Sequence, residues 1–289
     1  MRIRSIVLAS ALALTAVHTA AADSSPAPER LQWNEDWPRF RPSEYVATGV
    51  VGAAAITMYF AVRAQAQPHW VGGILFDDAI RNALRVHSAS ALQTVWALSD
   101  GLDVTLAVLS VGVDSLAVPA FRGAPDVSFQ LGLMDAESFA FSSVVGIGIY
   151  DSVGRARPSY EDCQHNPTFV GCDVSPTASF VSGHTVEAFT AAGVSCANHG
   201  HLPIYGSRLW DALACGRDVF LATSEGILRI VGDRHYATDV LAGAAIGFGF
   251  GYGLPTFLHY AVSGTRRDIS WTIAPNAGPN PGVSVAGAF

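Results

Sequence analysis

Long apolar runs broken by isolated acids set the character of this chain. Residues 45–62 are 18 successive uncharged positions closed by Arg63, and residues 240–265 are 26 more. A helix rises about 1.5 Å per residue, so each run is close to the ~20 residues that cross the apolar core of a bilayer. In the second run Gly243, Gly247 and Gly251 recur at four-residue steps. That step places them on one helix face, where another backbone can approach closely in lipid. A buried helix of a soluble bundle would carry the same pattern.

Between these runs, residues 103–121 contain Asp114, and residues 128–150 contain Asp135 and Glu137. An acid inside an apolar helix has to face an interior or a water-filled site. The pattern therefore predicts an all-α fold: about six helices, membrane-embedded, several with a polar inner face. Residues 266–289 change character, with Trp271 and Ile273, a Pro/Gly/Asn turn, then Val283 and Val285. A short hairpin or irregular C-terminal tail is expected there. Ahead of the first run, residues 23–44 form a polar lead-in whose Trp33, Trp37 and Phe40 suit an interfacial anchor or a packed segment.

The N-terminus starts with Arg2 and Arg4, continues as an apolar stretch and ends in small residues before Asp23. This predicts a signal peptide over residues 1–22, with an uncleaved first membrane helix as the alternative. Composition then narrows the chemistry. The chain is 50% hydrophobic and 14% charged, against about 25% charged in ordinary soluble domains. All 17 basic residues are Arg, so Schiff-base or Walker-type lysine chemistry is excluded and any anion must be held by guanidinium, imidazole or backbone. Removing residues 1–22 takes away two of those Arg and leaves 15 against 24 acids, a formal charge of −9. Nucleic acid is not an expected partner.

Four cysteines allow three pairings. The local one, Cys163 with Cys172 and Cys196 with Cys215, is the simplest, and exported chains use such bonds as loop staples. Buried inert thiols are the alternative. Arg63 and the pair Arg266 and Arg267 both have the look of cytoplasmic ends, which leaves sidedness open by counting. The cysteines favour an outside location for the loop at 151–182.

Three segments at helix boundaries concentrate reactive groups. In the first, Arg155 and Arg157 precede Pro158, which biases Arg157 away from helical geometry and presents its guanidinium at a helix end. In the second, Ser182 is a plausible N-cap, followed by Gly183 and His184. Free amides at that helix start would point at an anion. In the third, Arg229 is followed by His235 and Asp239. The last two are four apart, so the carboxylate can accept from one ring nitrogen and leave the other free. Each segment alone has an ordinary structural reading: an Arg closing a helix, a capped helix start, a His–Asp pair.

Together they resemble the type 2 phosphatidic acid phosphatase superfamily, which also includes bacterial acid phosphatases and vanadium haloperoxidases. Its pattern is Lys, six residues, Arg-Pro; then Pro-Ser-Gly-His; then Ser-Arg, five residues, His, three residues, Asp. Arg157 and Pro158, then Ser182, Gly183 and His184, then Arg229, His235 and Asp239 match in order and spacing, over roughly residues 120–262. The resemblance implies that His235 is a phosphorus nucleophile oriented by Asp239 and that His184 is the acid and base. It implies that Arg157, Arg229, Ser182 and the Gly183 N–H hold phosphate oxygens. With the apolar runs it gives an expected helical phosphatase domain over 45–265 in a bacterial envelope membrane, and the cysteines place its site on the periplasmic side. The substrate is expected to be a phosphorylated lipid or small molecule, and no metal or other cofactor is expected. Three positions depart from the pattern: Tyr150 replaces Lys, Val181 replaces Pro and Leu228 replaces Ser. Tyr150 and Arg155 are the possible auxiliary groups. A vanadate-dependent haloperoxidase is disfavoured by the missing Lys, and a non-catalytic binder of phosphate head groups is the remaining alternative.

Two further groupings read as structural. Asp77 stands four before Arg81 and Asp78 three before it, and with Arg85 they read as the polar face of an amphipathic helix. His199 and His201 lack a nearby carboxylate in sequence and suit a solvated loop better than a metal.

Overall fold

A computed structural model describes residues 30–61, 65–168, 170–172 and 175–261, and the backbone of 270–276 and 282–288. The signal segment 1–22, Arg63, Arg266 and Arg267 lie outside the described residues. Among the described residues six long helices account for most of the chain. They are α1 (Pro42–Ala61), α3 (Ala89–Ala107), α5 (Pro125–Val153), α7 (Gly183–His201), α8 (Arg208–Val231) and α9 (Ala237–Pro255). Two short helices, α2 (Asp77–Leu84) and α6 (Tyr160–His165), lie in the connections. Helix α3 runs on through a π-helical stretch, Val108–Ala117, into α4 (Val118–Phe121), and α9 runs on through Thr256–Tyr260.

Local chemistry sets the ends. Ser88 caps α3 by accepting from the Ala91 amide at 3.3 Å. Pro125 opens α5, where its missing N–H costs nothing, and Gly154 closes it at φ 60. Gly154 also begins the segment whose Ala156 amide donates to the Trp70 carbonyl at 2.7 Å, tying the end of α5 to the chain before α2.

Among the described residues four helical stretches are long and apolar enough to cross a membrane: Pro42–Ala61, Ala89–Phe121, Pro125–Val153 and Ala237–Tyr260. Their outward faces leave large apolar groups uncovered, among them Phe60, Val104, Leu241 and Phe257. Lipid is the solvent that such faces suit, and the chain is a multi-pass membrane protein. The interior is correspondingly polar. Asp114 meets Arg217, Tyr205 and His199, Asp135 accepts from Asn198 at 3.3 Å, and both acids and Asn198 are buried. His199 is thus held between Asp114 and Asp211, at 3.3 and 2.7 Å, as part of the bundle core and not in a solvated loop. The lead-in contributes Leu31, Trp33 and Phe40 to an apolar cluster with Val127, Leu131, Met134 and Tyr260.

Helix α7 is the centre of the bundle, packed by α9, α8 and α5. The glycine face read from the sequence is its contact with α9. A methyl at Gly243 would lie 2.8 Å from the Ser182 carbonyl, and methyls at Gly247 and Gly251 would be driven into the main chain of Val186 and Thr190. Gly247→Ala is therefore expected to force α7 and α9 apart and to cost roughly 1–3 kcal/mol, as overpacking does. A thermal melt in detergent checks it: an unchanged midpoint would mean that the two helices are not in backbone contact. At the C-terminus β1 (Ser270–Asn276) pairs antiparallel with β2 (Gly282–Ala288), Ile273 opposite Val285, which is the hairpin expected there.

Both cysteine pairs form the expected local bonds, Cys163–Cys172 and Cys196–Cys215. The first staples the loop between α6 and α7. The second joins α7 to α8.

Candidate active site

One end of the bundle brings the three motif segments together. Arg157 follows α5, Gly183 and His184 open α7, Arg229 lies in the last turn of α8, and His235 stands in the turn before α9. All five line a single cavity of about 450 Å³, whose other lining residues include Tyr59, Ser143, Gly146, Ile147, Tyr150, Val186 and Glu187. Two imidazoles and two guanidiniums thus face one volume.

The turn carrying His235 is held from outside the motif. Asp233 sits at φ 57, an uncommon conformation for a residue with a side chain. Arg81 of α2 grips its carboxylate with two bonds, at 2.6 and 2.7 Å. Trp96 of α3 donates to the Gly232 carbonyl at 2.7 Å and stacks under the Arg234 guanidinium. The pairing of Asp77 with Arg81 expected at four-residue spacing does not occur. Arg81 turns to Asp233 and Asp162, and Asp77 turns inward.

His235 is 3% exposed, and its Nδ1–H donates to the Ser179 carbonyl at 2.7 Å. That bond assigns the tautomer and leaves Nε2 as a lone pair, 3.5 Å from an Arg157 nitrogen. Asp239 was expected to take this Nδ1 proton. Its Oδ2 lies 4.0 Å away and accepts instead from the Ser179 hydroxyl at 2.6 Å and the Tyr236 amide at 2.8 Å. Asp239 therefore acts on the ring at one remove, by fixing Ser179, because a carboxylate at the first turn of α9 is claimed by the orphan amide there.

Arg155 is not an auxiliary anion ligand. It is fully buried between the rings of Trp70 and Tyr236, and its two terminal nitrogens bridge Asp239 at 2.5 Å and Asp77 at 2.7 Å. Asp77 in turn accepts from the Thr238 amide at 2.9 Å, capping α9 from another helix. Ser182 also departs from expectation. It is fully buried, its amide donates to the Asp239 carbonyl, and its hydroxyl accepts from Thr185. A buried hydroxyl takes the nearest partner, and Ser182 is not among the described residues lining the cavity. Gly183 lines it, and the first amides of α7 there have no acceptor within the helix. Tyr150 also lines it, where the family pattern has Lys.

Charge is accumulated here. Desolvation and the like charges of Arg229 and Arg234 oppose the cationic form of Arg157, and desolvation opposes that of Arg229, whose Nε has no hydrogen-bond partner. Burial, then the Arg229 charge, pulls His184 down to about 4, and burial with Arg157 and Arg229 pulls His235 well below its ordinary value. An anion relieves every one of these costs. Both imidazoles are neutral when the cradle is empty, while an unfolded chain takes up their protons near pH 6.5. Below that pH the unfolded state binds more protons, so stability falls as pH drops from about 6.5 towards 4. Melts at pH 7 and pH 5 are expected to show a lower midpoint at pH 5, with the gap narrowed by inorganic phosphate. A flat profile would contradict the neutral assignment.

The model of the PAP2 superfamily matches residues 136–263. The matched segment holds Arg157, Ser182, Gly183, His184, Arg229, His235 and Asp239, while Asp77, Arg81 and Trp96 lie before it. The chain is also 40% identical over 105 residues to the lipid A 1-phosphatase of Porphyromonas gingivalis. That stretch is 36% of this chain and 18% of the relative, so the chain matches less than a fifth of that protein's length. Among solved structures it is similar to a transmembrane PAP2-type phosphatidylglycerolphosphate phosphatase from Bacillus subtilis, at 18% identity and a TM-score of 0.48, covering 74% of this chain and 94% of that one.

Several partners at the site were not read from the sequence. Ser179 acts through its carbonyl, and Asp77, Trp70 and Trp96 come from segments 78 or more positions away from their partners. A backbone carbonyl has no residue-type signature, and only the Asp77 carboxylate, just after the apolar run 74–76, offered a local signal.

Proposed function

We propose that the chain is a phosphatase that hydrolyses a phosphate monoester or pyrophosphate of a membrane lipid through a phosphohistidine intermediate. The observation that carries this reading is the convergence of His184, His235, Arg157 and Arg229 on one cavity. Phosphoryl transfer asks mainly for positioning and for charge stabilisation around the non-bridging oxygens. Two guanidiniums and the first amides of α7 supply that charge, so no step calls on a metal.

In the first step the Nε2 lone pair of His235 attacks phosphorus, the P–O bond to the lipid breaks, and protonated His184 delivers its proton to the leaving oxygen. In the second, His184 takes a proton from water as the oxygen attacks phosphorus. The P–N bond breaks and inorganic phosphate leaves. A dianionic substrate entering the cradle raises the proton affinity of His184, so acid and substrate arrive as one unit.

A lipid substrate fits the site's position at one end of helices that are apolar on their outer faces, with Ile147, Val186 and Tyr59 lining the cavity beside the charged groups. The relative named as a lipid A 1-phosphatase points the same way. The loop closed by Cys163–Cys172 stands at the same end, which supports a periplasmic site in an inner membrane. Tyr150 in place of a Lys leaves the cradle one cation poorer, which works against a permanently bound vanadate and for transient phosphate.

A panel of lipid phosphates in mixed micelles tests the reading. Release of inorganic phosphate from at least one, with acid-labile and base-stable label trapped on the protein during turnover, is the expected result. Turnover without any trapped label would rule out the covalent route.

A further inference from the structure

The two imidazoles of the cavity are held by different kinds of partner. His235 gives its Nδ1–H to a neutral carbonyl, that of Ser179. His184 has a carboxylate: its Nε2 is 3.3 Å from Oδ1 of Asp100, and the same oxygen accepts from Arg229 at 3.2 Å. Asp100 belongs to α3, outside residues 136–263 and outside all three motif segments.

The difference matches what each ring is asked to do. A nucleophile has to remain neutral until it attacks, and a carbonyl orients a ring while adding little to its proton affinity. An acid has to carry a proton, and a carboxylate partner stabilises the imidazolium. Around His184, Arg229 of α8 and Arg157 of the loop after α5 oppose protonation, and His235 faces it from the turn before α9. The other acids nearby are engaged elsewhere. Asp103 of α3 is bonded to Glu187, one turn along α7, and Glu225 of α8 accepts from Ser99 and Thr185. Asp100 is the carboxylate that reaches the ring.

A carboxylate touching Arg229 could instead occupy the seat of the substrate phosphate. Asp100 is not among the described residues that line the cavity; it touches the two groups that do. We infer that Asp100 is a positioning residue of this site, orienting His184 and holding the proton on it through phosphoryl transfer. The inference rests on the phosphatase reading above. In its terms, His184 passes one proton to the leaving oxygen as the P–O bond breaks and stays hydrogen-bonded to Asp100 as a neutral ring. It becomes cationic again when it takes a proton from the attacking water.

The test is Asp100→Asn in the full chain, assayed across pH with two monoesters: one with a nitrophenol leaving group and one with the alkyl leaving group of a lipid phosphate. Asn keeps the shape, and the side chain is 60% exposed, so the fold should tolerate it. The expected result is a kcat lower by about tenfold or more on the alkyl ester, part of what a positioned acid contributes, with KM nearly unchanged. The alkaline limb of the kcat profile should shift to lower pH, because His184 loses its proton more readily without the carboxylate. The nitrophenyl ester, whose leaving group needs little protonation, should lose much less, and Asp100→Glu should restore part of the alkyl rate. An unmoved profile, equal losses on both esters, or a lower KM with unchanged kcat would overturn the inference. Failure of the wild-type chain to turn over either ester would overturn the phosphatase reading and this inference with it, whereas wild-type turnover with an unaffected Asp100→Asn would overturn this inference alone.

Discussion

Replacing His235 by alanine is expected to reduce phosphate release by a thousandfold or more, the scale seen when a nucleophile is removed from a catalytic group that acts as a unit. The ring supplies the lone pair that forms the P–N bond, and the cavity offers no second one in the same position: the Arg157 nitrogen 3.5 Å away is a cation without a lone pair to give. Removing the ring also leaves the Ser179 carbonyl without its donor, a cost of about 1–3 kcal/mol that a melt will register. The cradle of guanidiniums remains, so the variant should still bind inorganic phosphate and should trap no label. Turnover within tenfold of the wild type would exclude His235 as the nucleophile.

Arg155→Met should be the most damaging change to the fold itself. Asp77 and Asp239 are both fully buried, and the Arg155 guanidinium bridges them. Taking away one member of a buried ion network leaves uncompensated charge and costs roughly 3–5 kcal/mol. The loss falls where it matters for the site: Asp77 caps α9, and Asp239 holds the hydroxyl of the residue whose carbonyl orients His235. Expected readouts are a thermal midpoint lower by several degrees and a fall in kcat, with Arg155→Lys intermediate because an ammonium cannot bridge two carboxylates with a planar fork. A residue that only helped to bind phosphate would instead raise KM and leave the melt unmoved, and that outcome would sink the role assigned here.

Much of the architecture was legible because it depends on local pattern. Uncharged runs marked α1 and α9, and the four-residue glycine step marked the face of α9 that meets α7. The short cysteine separations marked both disulfides. Isolated acids in apolar stretches, Asp114 and Asp135, correctly pointed inward. The π-helical stretch at Val108–Ala117 had no such sign, since the sequence there reads as uninterrupted helix.

The site was legible in kind and not in wiring. Arg157, His184, Arg229 and His235 could be named from spacing, and the cavity contains all four. Spacing misled where it was asked to choose a partner for Asp77 and for His235. Asp77 sits four residues before Arg81, yet pairs with Arg155; Asp239 sits four after His235, yet yields the ring to a carbonyl. Arg155, two residues from Arg157, became a strut where it could have been a second anion ligand. By itself the sequence determined which helices would form, which faces would be small or apolar, and which chemical groups were on hand. Only the tertiary structure decided which of those groups meet. Helical spacing constrains direction over a single turn, whereas a buried charge settles on whichever opposite charge the packing of distant helices brings within about 3 Å.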